Sequence, residues 1–219
     1  NNRLNSYYYF FFLFNMFYDK FIKEVLQFKD KNPNENIKSG HFRNWVIEKY
    51  GKTVDVILLF SNSLKTTINK PQRLLENGDD YYIACDLYTS TIYMSFKHLI
   101  MLDIDYENYN YKQFENRLVD VYKTRKGYHI FFLDQEYEYT NNKTLQFMLD
   151  CKADFYNIIY TYIRGSCVRL NCKLNEKSPI YTYIGRFGNS TAIPRLEYLV
   201  QYHIQKCNEF KNFRKSLMK

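Results

Sequence analysis

Two kinds of hydrophobic periodicity alternate along most of this chain of 219 residues. Short apolar runs bounded by turn residues indicate strands, whereas apolar positions three or four residues apart indicate helices. The apolar runs predict strands over residues 81–88, 99–105, 127–133, 167–171 and 180–184. Helical spacing predicts helices over residues 40–50, 54–65, 111–122, 144–162 and 194–213. Together these elements predict a mixed β-sheet with helices packed on it, of α+β or α/β type.

The first 80 residues differ in character from the rest. An aromatic run over residues 7–18 is too short to cross a bilayer and continues into charged residues. It also lacks the basic region and the small-residue cleavage site of a signal peptide. We therefore expect no membrane association, and we expect a mainly helical portion over residues 1–80 packed on a core over residues 81–219.

Composition indicates a class of partner and a compartment. The excess of 31 Lys and Arg over 23 Asp and Glu gives a net charge of +8, which favours a polyanionic partner, with nucleic acid ahead of an anionic membrane. Five cysteines with no CxxC pair argue against a disulfide framework and indicate a reducing, intracellular location. A zinc site made by Cys151, Cys167, Cys172 and His203 is a minor alternative, because their spacings are irregular.

Two acidic residues, Asp103 and Asp105, end the apolar run that begins at Leu99. Successive strand residues point to opposite faces, so these two carboxylates share one face. Two like charges about 4 Å apart repel by roughly 4 kcal/mol near a protein surface, and a divalent metal is the simplest compensating cation. A strand that simply runs out into an acidic loop remains the alternative, and the pair alone does not decide between them.

A basic turn and a strand follow in residues 123–132, and the strand carries His129. Gly127 permits a tight bend between the two. If this strand pairs with residues 99–105, His129 and the turn residues 124–126 lie beside the two aspartates. Carboxylates for a metal next to an imidazole and cations for phosphate oxygens would suit a metal-bound triphosphate. A single histidine on an apolar strand is more often structural, so its meaning depends on its neighbours.

Two later features complete the set. Asp154 again borders apolar residues, and a third carboxylate would complete a two-metal site. In residues 162–173, Arg169 and Asn171 share a strand face that is flanked by Arg164 and Lys173. That basic strand either holds phosphate or is a solvated edge.

In order and spacing, four features resemble the motifs of the archaeo-eukaryotic primase superfamily: the Leu-Asp-Ile-Asp pair, the Thr-Arg-Lys-Gly-Tyr-His-Ile-Phe segment, Asp154, and the Val-Arg-Leu-Asn-x-Lys strand. The nearest resemblance is to primases and primase-polymerases of large DNA viruses, and it covers residues 81–173. It implies an RRM-like palm and template-directed nucleotidyl transfer from NTP or dNTP in DNA replication. It further implies a single-stranded DNA template, a replicative helicase as an additional partner, and a viral protein that acts in the host cytoplasm or nucleus.

The resemblance also assigns roles to residues. It implies that Mg²⁺ or Mn²⁺ is bound by the catalytic acids Asp103, Asp105 and Asp154, with Asp150 as the alternative third acid. The residues implied to contact the nucleotide phosphates are Thr124, Arg125, Lys126, His129, Arg169 and Lys173. Family members often have serine two residues before the histidine, whereas this chain has Gly127 there.

Two other function classes fit parts of the pattern. A metal-dependent nuclease also uses clustered carboxylates on a sheet. Binding of a free triphosphate explains the cation-rich turn and strand better, so the nuclease ranks second. A non-catalytic module for single-stranded nucleic acid is favoured by the positive charge, but not by acids inside an apolar strand.

Overall fold

The computed structural model describes residues 40–58, 61, 72–87, 89–172 and 181–211, together with scattered helical positions between residues 20 and 31. The chain divides into two compact units, residues 1–67 and 68–219. In the first unit, helix α1 is Gly40–Tyr50 and residues 54–58 are helical, in agreement with the predicted helices. The predicted helix end at residues 62–65 and the aromatic run at residues 7–18 lie outside the described residues.

The second unit contains eight described strands and three described α-helices. The strands are β1 Gln72–Asn77, β2 Tyr81–Asp86, β3 Thr91–Phe96, β4 Met101–Ile104, β5 Val119–Lys123, β6 Tyr128–Phe132, β7 Ser166–Arg169 and β8 Thr182–Phe187. The helices are α2 Asn142–Asp150, α3 Phe155–Arg164 and α4 Pro194–Phe210, preceded by a single 3₁₀ turn at Tyr111–Phe114.

The described strands form two four-stranded antiparallel sheets, in the orders β1-β2-β3-β7 and β4-β6-β5-β8. The α+β class is thus confirmed, but the single mixed sheet is wrong. The physical reason is that short turns join β1 to β2, β2 to β3, and β5 to β6. Consecutive strands joined by such short connections can only pair antiparallel, because a parallel pair needs a crossover of a dozen residues or more.

Three further expectations differ from the structure. The predicted helix over residues 111–122 is wrong beyond its first turn, because residues 119–123 form β5. Sheet pairing prevails there because β5 lies between β6 and β8 with Val119 and Val121 fully buried. The predicted helix over residues 144–162 is divided into α2 and α3 by residues 151–154. The boundary between the units lies at residues 67–68 and not at residue 80, because β1 pairs with β2 and so belongs to the second unit.

A hydrophobic core joins the inner faces of the two sheets and one side of α4. Its fully buried members include Met94 on β3, Phe131 on β6 and Leu196 on α4. The Ser166 hydroxyl at the start of β7 accepts the Met101 N–H at 2.8 Å and so ties the two sheets together at the start of β4. This connection fixes where β4 begins, and therefore where its acidic end lies.

Among the residues that the structure describes, no helix has both the length and the apolar composition needed to cross a bilayer. The five cysteines are all free thiols.

Candidate active site

The acidic end of β4 is fastened to the start of helix α3 by a closed ring of hydrogen bonds. The Asp154 N–H donates to the Asp103 carbonyl at 2.8 Å. The Asp103 N–H donates to Asn157 Oδ1 at 3.2 Å, and the Asn157 N–H donates to Asp154 Oδ1 at 3.3 Å. Asp154 is the N-cap of α3, and its carboxylate also accepts the Tyr156 N–H at 3.0 Å. The start of α3 thereby supplies hydrogen-bond partners for the backbone N–H and carbonyl of Asp103 at the edge of β4.

The same ring determines how the Asp103 and His129 side chains meet. Asp103 pairs directly with His129 across the β4–β6 ladder. Because both backbone groups of Asp103 point towards α3, this is a non-hydrogen-bonded antiparallel pair, in which side chains approach most closely. His129 Nε2 lies 3.5 Å from Asp103 Oδ1. The two strands thus pair in the register that brings His129 beside Asp103.

The surroundings of His129 indicate which nitrogen carries its proton. The side chain is 10% exposed, and its Nδ1 atom is buried without a hydrogen-bond partner among the described residues. Nε2, in contrast, faces a carboxylate that accepts hydrogen bonds. In the neutral imidazole the proton therefore belongs on Nε2, and this N–H points towards the Asp103 carboxylate.

Three carboxylates interact at this point. Burial raises the pKa of Asp154 above its usual value, and the negative charges of Asp103 and Asp105 raise this pKa further, against the two N–H groups that Asp154 caps. Asp105 is exposed directly after β4, and the Asp103 side chain is 38% exposed. The alternative third acid, Asp150, is exposed on α2 and accepts a hydrogen bond from Gln146 one turn earlier. Asp154 is thus the acid that lies beside Asp103.

The donor chemistry suits a hard divalent cation, although the present geometry gathers few ligands. No group of three or more His, Cys, Asp or Glu side chains within the described ranges is arranged to hold a metal ion. The zinc site of Cys151, Cys167, Cys172 and His203 is therefore not formed. Magnesium usually takes only one or two carboxylates and completes its shell with water and substrate phosphates. Asp103 on β4 and Asp105 directly after it offer such a pair of oxygen ligands, and the repulsion felt by Asp154 is the kind that a cation relieves.

The basic turn lies next to the acidic end of β4. The Thr124 hydroxyl accepts the Gly127 N–H at 3.0 Å, and the Thr124 N–H donates to the Gly127 carbonyl at 2.9 Å. Thr124 therefore closes the turn with its own hydrogen bonds. Arg125 and Lys126, at the tip, are exposed.

The absence of a side chain at Gly127 has a steric reason. A Cβ atom on Gly127 would lie 1.7 Å from the Ile104 carbonyl oxygen and 2.9 Å from the Tyr106 N–H nitrogen. Only glycine lets the turn approach the backbone on either side of Asp105 so closely. The absence of a side chain at Gly127 thus lets the basic turn lie close to the carboxylates.

The later basic strand is only partly at the site. The Arg169 guanidinium donates to Thr91 Oγ1 at 3.0 Å. Its carbonyl accepts the Tyr181 hydroxyl at 3.1 Å, and the Tyr181 ring packs on the His129 ring with centroids 4.7 Å apart. Arg169 is therefore linked to His129 through one tyrosine, while its guanidinium bonds to the start of β3. Lys173 lies outside the described residues.

Two neighbours of Arg169 have structural roles. Asn171 is fully buried, accepts the Ile92 N–H at 3.0 Å and donates to the Ser90 carbonyl at 2.7 Å, so it fixes the start of β3. The Arg164 guanidinium packs over the rings of Tyr93 and Tyr160, at 4.1 and 4.6 Å. Both side chains are thus engaged in contacts within the fold.

Sequence reasoning missed two residues that build the site. Asn157 follows Asp154 by three positions at the start of a helix, a spacing that signals local hydrogen bonding once the helix start is known. Tyr181 has no such signal, because its contact with His129 depends on the path of the chain into β8.

No protein-family model, curated protein or solved structure is significantly similar to this chain.

Proposed function

We propose that this protein is a nucleotidyltransferase of the primase or primase-polymerase type. A 3′-hydroxyl would attack the α-phosphate of an NTP or dNTP on a single-stranded DNA template, and pyrophosphate would leave. The observation that carries this proposal is the direct Asp103–His129 pair, with Nε2 and Oδ1 3.5 Å apart, held beside Asp154 by the start of α3. A carboxylate and an imidazole donor in contact on one exposed strand end suit a metal-bound triphosphate.

The three acids have separate tasks in this proposal. Asp103 and Asp105 would bind Mg²⁺ or Mn²⁺ through carboxylate oxygens, and Asp154 would add the third negative charge next to Asp103. When bound, such ions lower the pKa of an attacking hydroxyl and stabilise the leaving pyrophosphate. The hydrogen bonds that Asp154 accepts from α3 restrict its carboxylate, which keeps the charge at the strand end.

The nitrogen donors would hold the triphosphate. His129 Nε2–H would donate to a phosphate oxygen at the position where it now faces Asp103. Arg125 and Lys126, on the turn that Gly127 brings close to Asp105, would add charge-assisted hydrogen bonds. Arg169 and Lys173 remain proposed contacts of the same triphosphate. The net charge of +8 supports binding of the DNA template as well.

An incorporation assay on the full chain tests the proposal. We expect wild-type protein to incorporate labelled NTP or dNTP on single-stranded DNA in the presence of Mg²⁺ or Mn²⁺. Asp103→Asn and Asp105→Asn preserve side-chain size but remove the charge, and each should reduce incorporation by at least about 100-fold, the usual effect of losing one charge-stabilising group. DNA binding should persist, because it depends on the cations. Asp150→Asn is the matched control and should retain full activity.

The same assay separates the alternatives. Degradation of the template without incorporation would favour a metal-dependent nuclease. DNA binding without either reaction would favour a non-catalytic module. If wild type is active and Asp103→Asn incorporates nucleotide equally well, the assigned site is wrong.

A further inference from the structure

The imidazole at the site lacks the usual support on its second nitrogen. A functional histidine is commonly oriented by a hydrogen bond at the nitrogen that does not react. In His129 that atom is Nδ1, and it is buried without a partner among the described residues. The contact from Nε2 to Asp103 is long, at 3.5 Å. Hydrogen bonds alone therefore do not determine the plane of this ring.

An aromatic contact takes the place of that hydrogen bond. The Tyr181 ring packs on the His129 ring with a centroid distance of 4.7 Å and an interplanar angle of 36°. Aromatic pairs at this separation have preferred geometries and contribute stabilisation beyond the burial of area. Tyr181 therefore restricts rotation of the imidazole about the side-chain bonds of His129.

Tyr181 is itself held in position from two directions. Its hydroxyl donates to the Arg169 carbonyl at the end of β7, at 3.1 Å. Its ring also lies near His203 of α4, with centroids 6.4 Å apart, and the His203 ring packs against Phe131 at 4.8 Å. Since His203 is 1% exposed, Tyr181 connects His129 to the buried core.

We propose that Tyr181 is a positioning residue that fixes the His129 imidazole with Nε2 directed towards Asp103. This inference deepens the proposed function and rests on it for its kinetic consequence. If His129 binds the triphosphate, a loosened imidazole weakens a contact made in both the ground state and the transition state. Loss of the Tyr181 ring then raises KM for the nucleotide more than it lowers kcat.

The direct test is the nuclear magnetic resonance of the imidazole, because it needs no activity. The chain has four histidines, so the imidazole signals are few, and His129→Asn identifies the one that belongs to His129. We expect Tyr181→Leu to shift the His129 resonances, because the neighbouring ring is lost. Tyr181→Phe keeps the ring and should preserve the His129 signals. Tyr181→Met, of similar reach, replaces the leucine variant if that variant does not fold.

The matched control is Tyr198→Leu. Tyr198 also stacks on an aromatic ring, that of Tyr202 at 5.6 Å, but it is 57% exposed on α4. This variant should leave the His129 resonances unchanged. Unchanged His129 resonances in Tyr181→Leu, or equal shifts in Tyr181→Phe and Tyr181→Leu, would overturn the inference.

Steady-state kinetics supply the second readout. In an active wild type we expect Tyr181→Leu to raise KM for the nucleotide on the order of 10-fold, with a smaller change in kcat and near wild-type values for Tyr181→Phe. An unchanged KM would overturn the link to the nucleotide. Wild-type protein without incorporation would instead refute the proposed function, while the resonance shifts would still establish the contact between Tyr181 and His129.

Discussion

Asn157 is the residue whose removal should best reveal how the fold supports the site. Its side chain is 8% exposed and supplies the acceptor for the Asp103 N–H at 3.2 Å. In Asn157→Ala this buried N–H loses its partner, which costs about 1–3 kcal/mol. Alanine restores up to about 0.7 kcal/mol through its higher helix propensity. We therefore expect a net loss of roughly 0.5–2.5 kcal/mol in the free energy of unfolding.

Urea unfolding followed by circular dichroism measures this loss. For a chain of this size, this loss corresponds to a fall in Tm of roughly 1–10 °C. Gln146→Ala is the matched control, because Gln146 also makes a helix-side hydrogen bond, at 2.8 Å to Asp150, but is exposed. The control should change stability by no more than about 0.5 kcal/mol. Equal stability of the two variants would refute the idea that the Asn157 contact fastens β4 to α3.

Asn157→Asp separates the hydrogen bond from the charge. This variant keeps an acceptor oxygen for the Asp103 N–H but adds a carboxylate beside Asp103 and Asp154. We expect it to be less stable than wild type at pH 7, and we expect this difference from wild type to shrink as the pH falls, because protonation removes the added charge. Wild-type stability of Asn157→Asp at pH 7 would show that the carboxylates of the site do not interact as described.

Three further outcomes follow from other parts of the fold. Burial lowers the pKa of His203 from 6.5 to about 3, so the unfolded state takes up a proton at a higher pH than the folded state does. The free energy of unfolding should therefore fall by about 2 kcal/mol between pH 7 and pH 5. Urea unfolding at each pH should show a smaller fall for His203→Phe. Gly127→Ser should destabilise the protein by about 1–3 kcal/mol, measured by thermal unfolding, because its Cβ would meet the Ile104 carbonyl at 1.7 Å. Arg117→Lys should cost about 2 kcal/mol in urea, because lysine cannot make both bonds of the Arg117–Asp134 pair, at 2.8 and 2.9 Å.

The parts of the fold that sequence reasoning anticipated carry strong local signals. The apolar runs that became β4 and β6 have turn residues at their ends, and helix α4 begins with Pro194 at its first position. The register of Asp103 opposite His129 agrees with the expected pairing of those runs. Local patterns thus predicted which elements meet at the site.

The errors arise where distant pairing decides local structure. Val119 and Tyr122 have helical spacing, but pairing with β6 and β8 makes their segment a central strand. The choice of Asp154 rather than Asp150 depends on a bond from Asp154 to the Asp103 carbonyl, which no spacing in the sequence reveals. The contact of Tyr181 with His129 was missed for the same reason.

The central claim is that Asp103, Asp105 and His129 present a metal-bound triphosphate. A crystal structure of the full chain with Mn²⁺ and a non-hydrolysable nucleoside triphosphate tests it most directly, because anomalous scattering locates the metal. We predict Mn²⁺ bound by carboxylate oxygens of Asp103 and Asp105, with Asp154 beside them and a phosphate oxygen at hydrogen-bond distance from His129 Nε2. A metal and triphosphate bound elsewhere on the chain, with these side chains free of ligand, would contradict the claim.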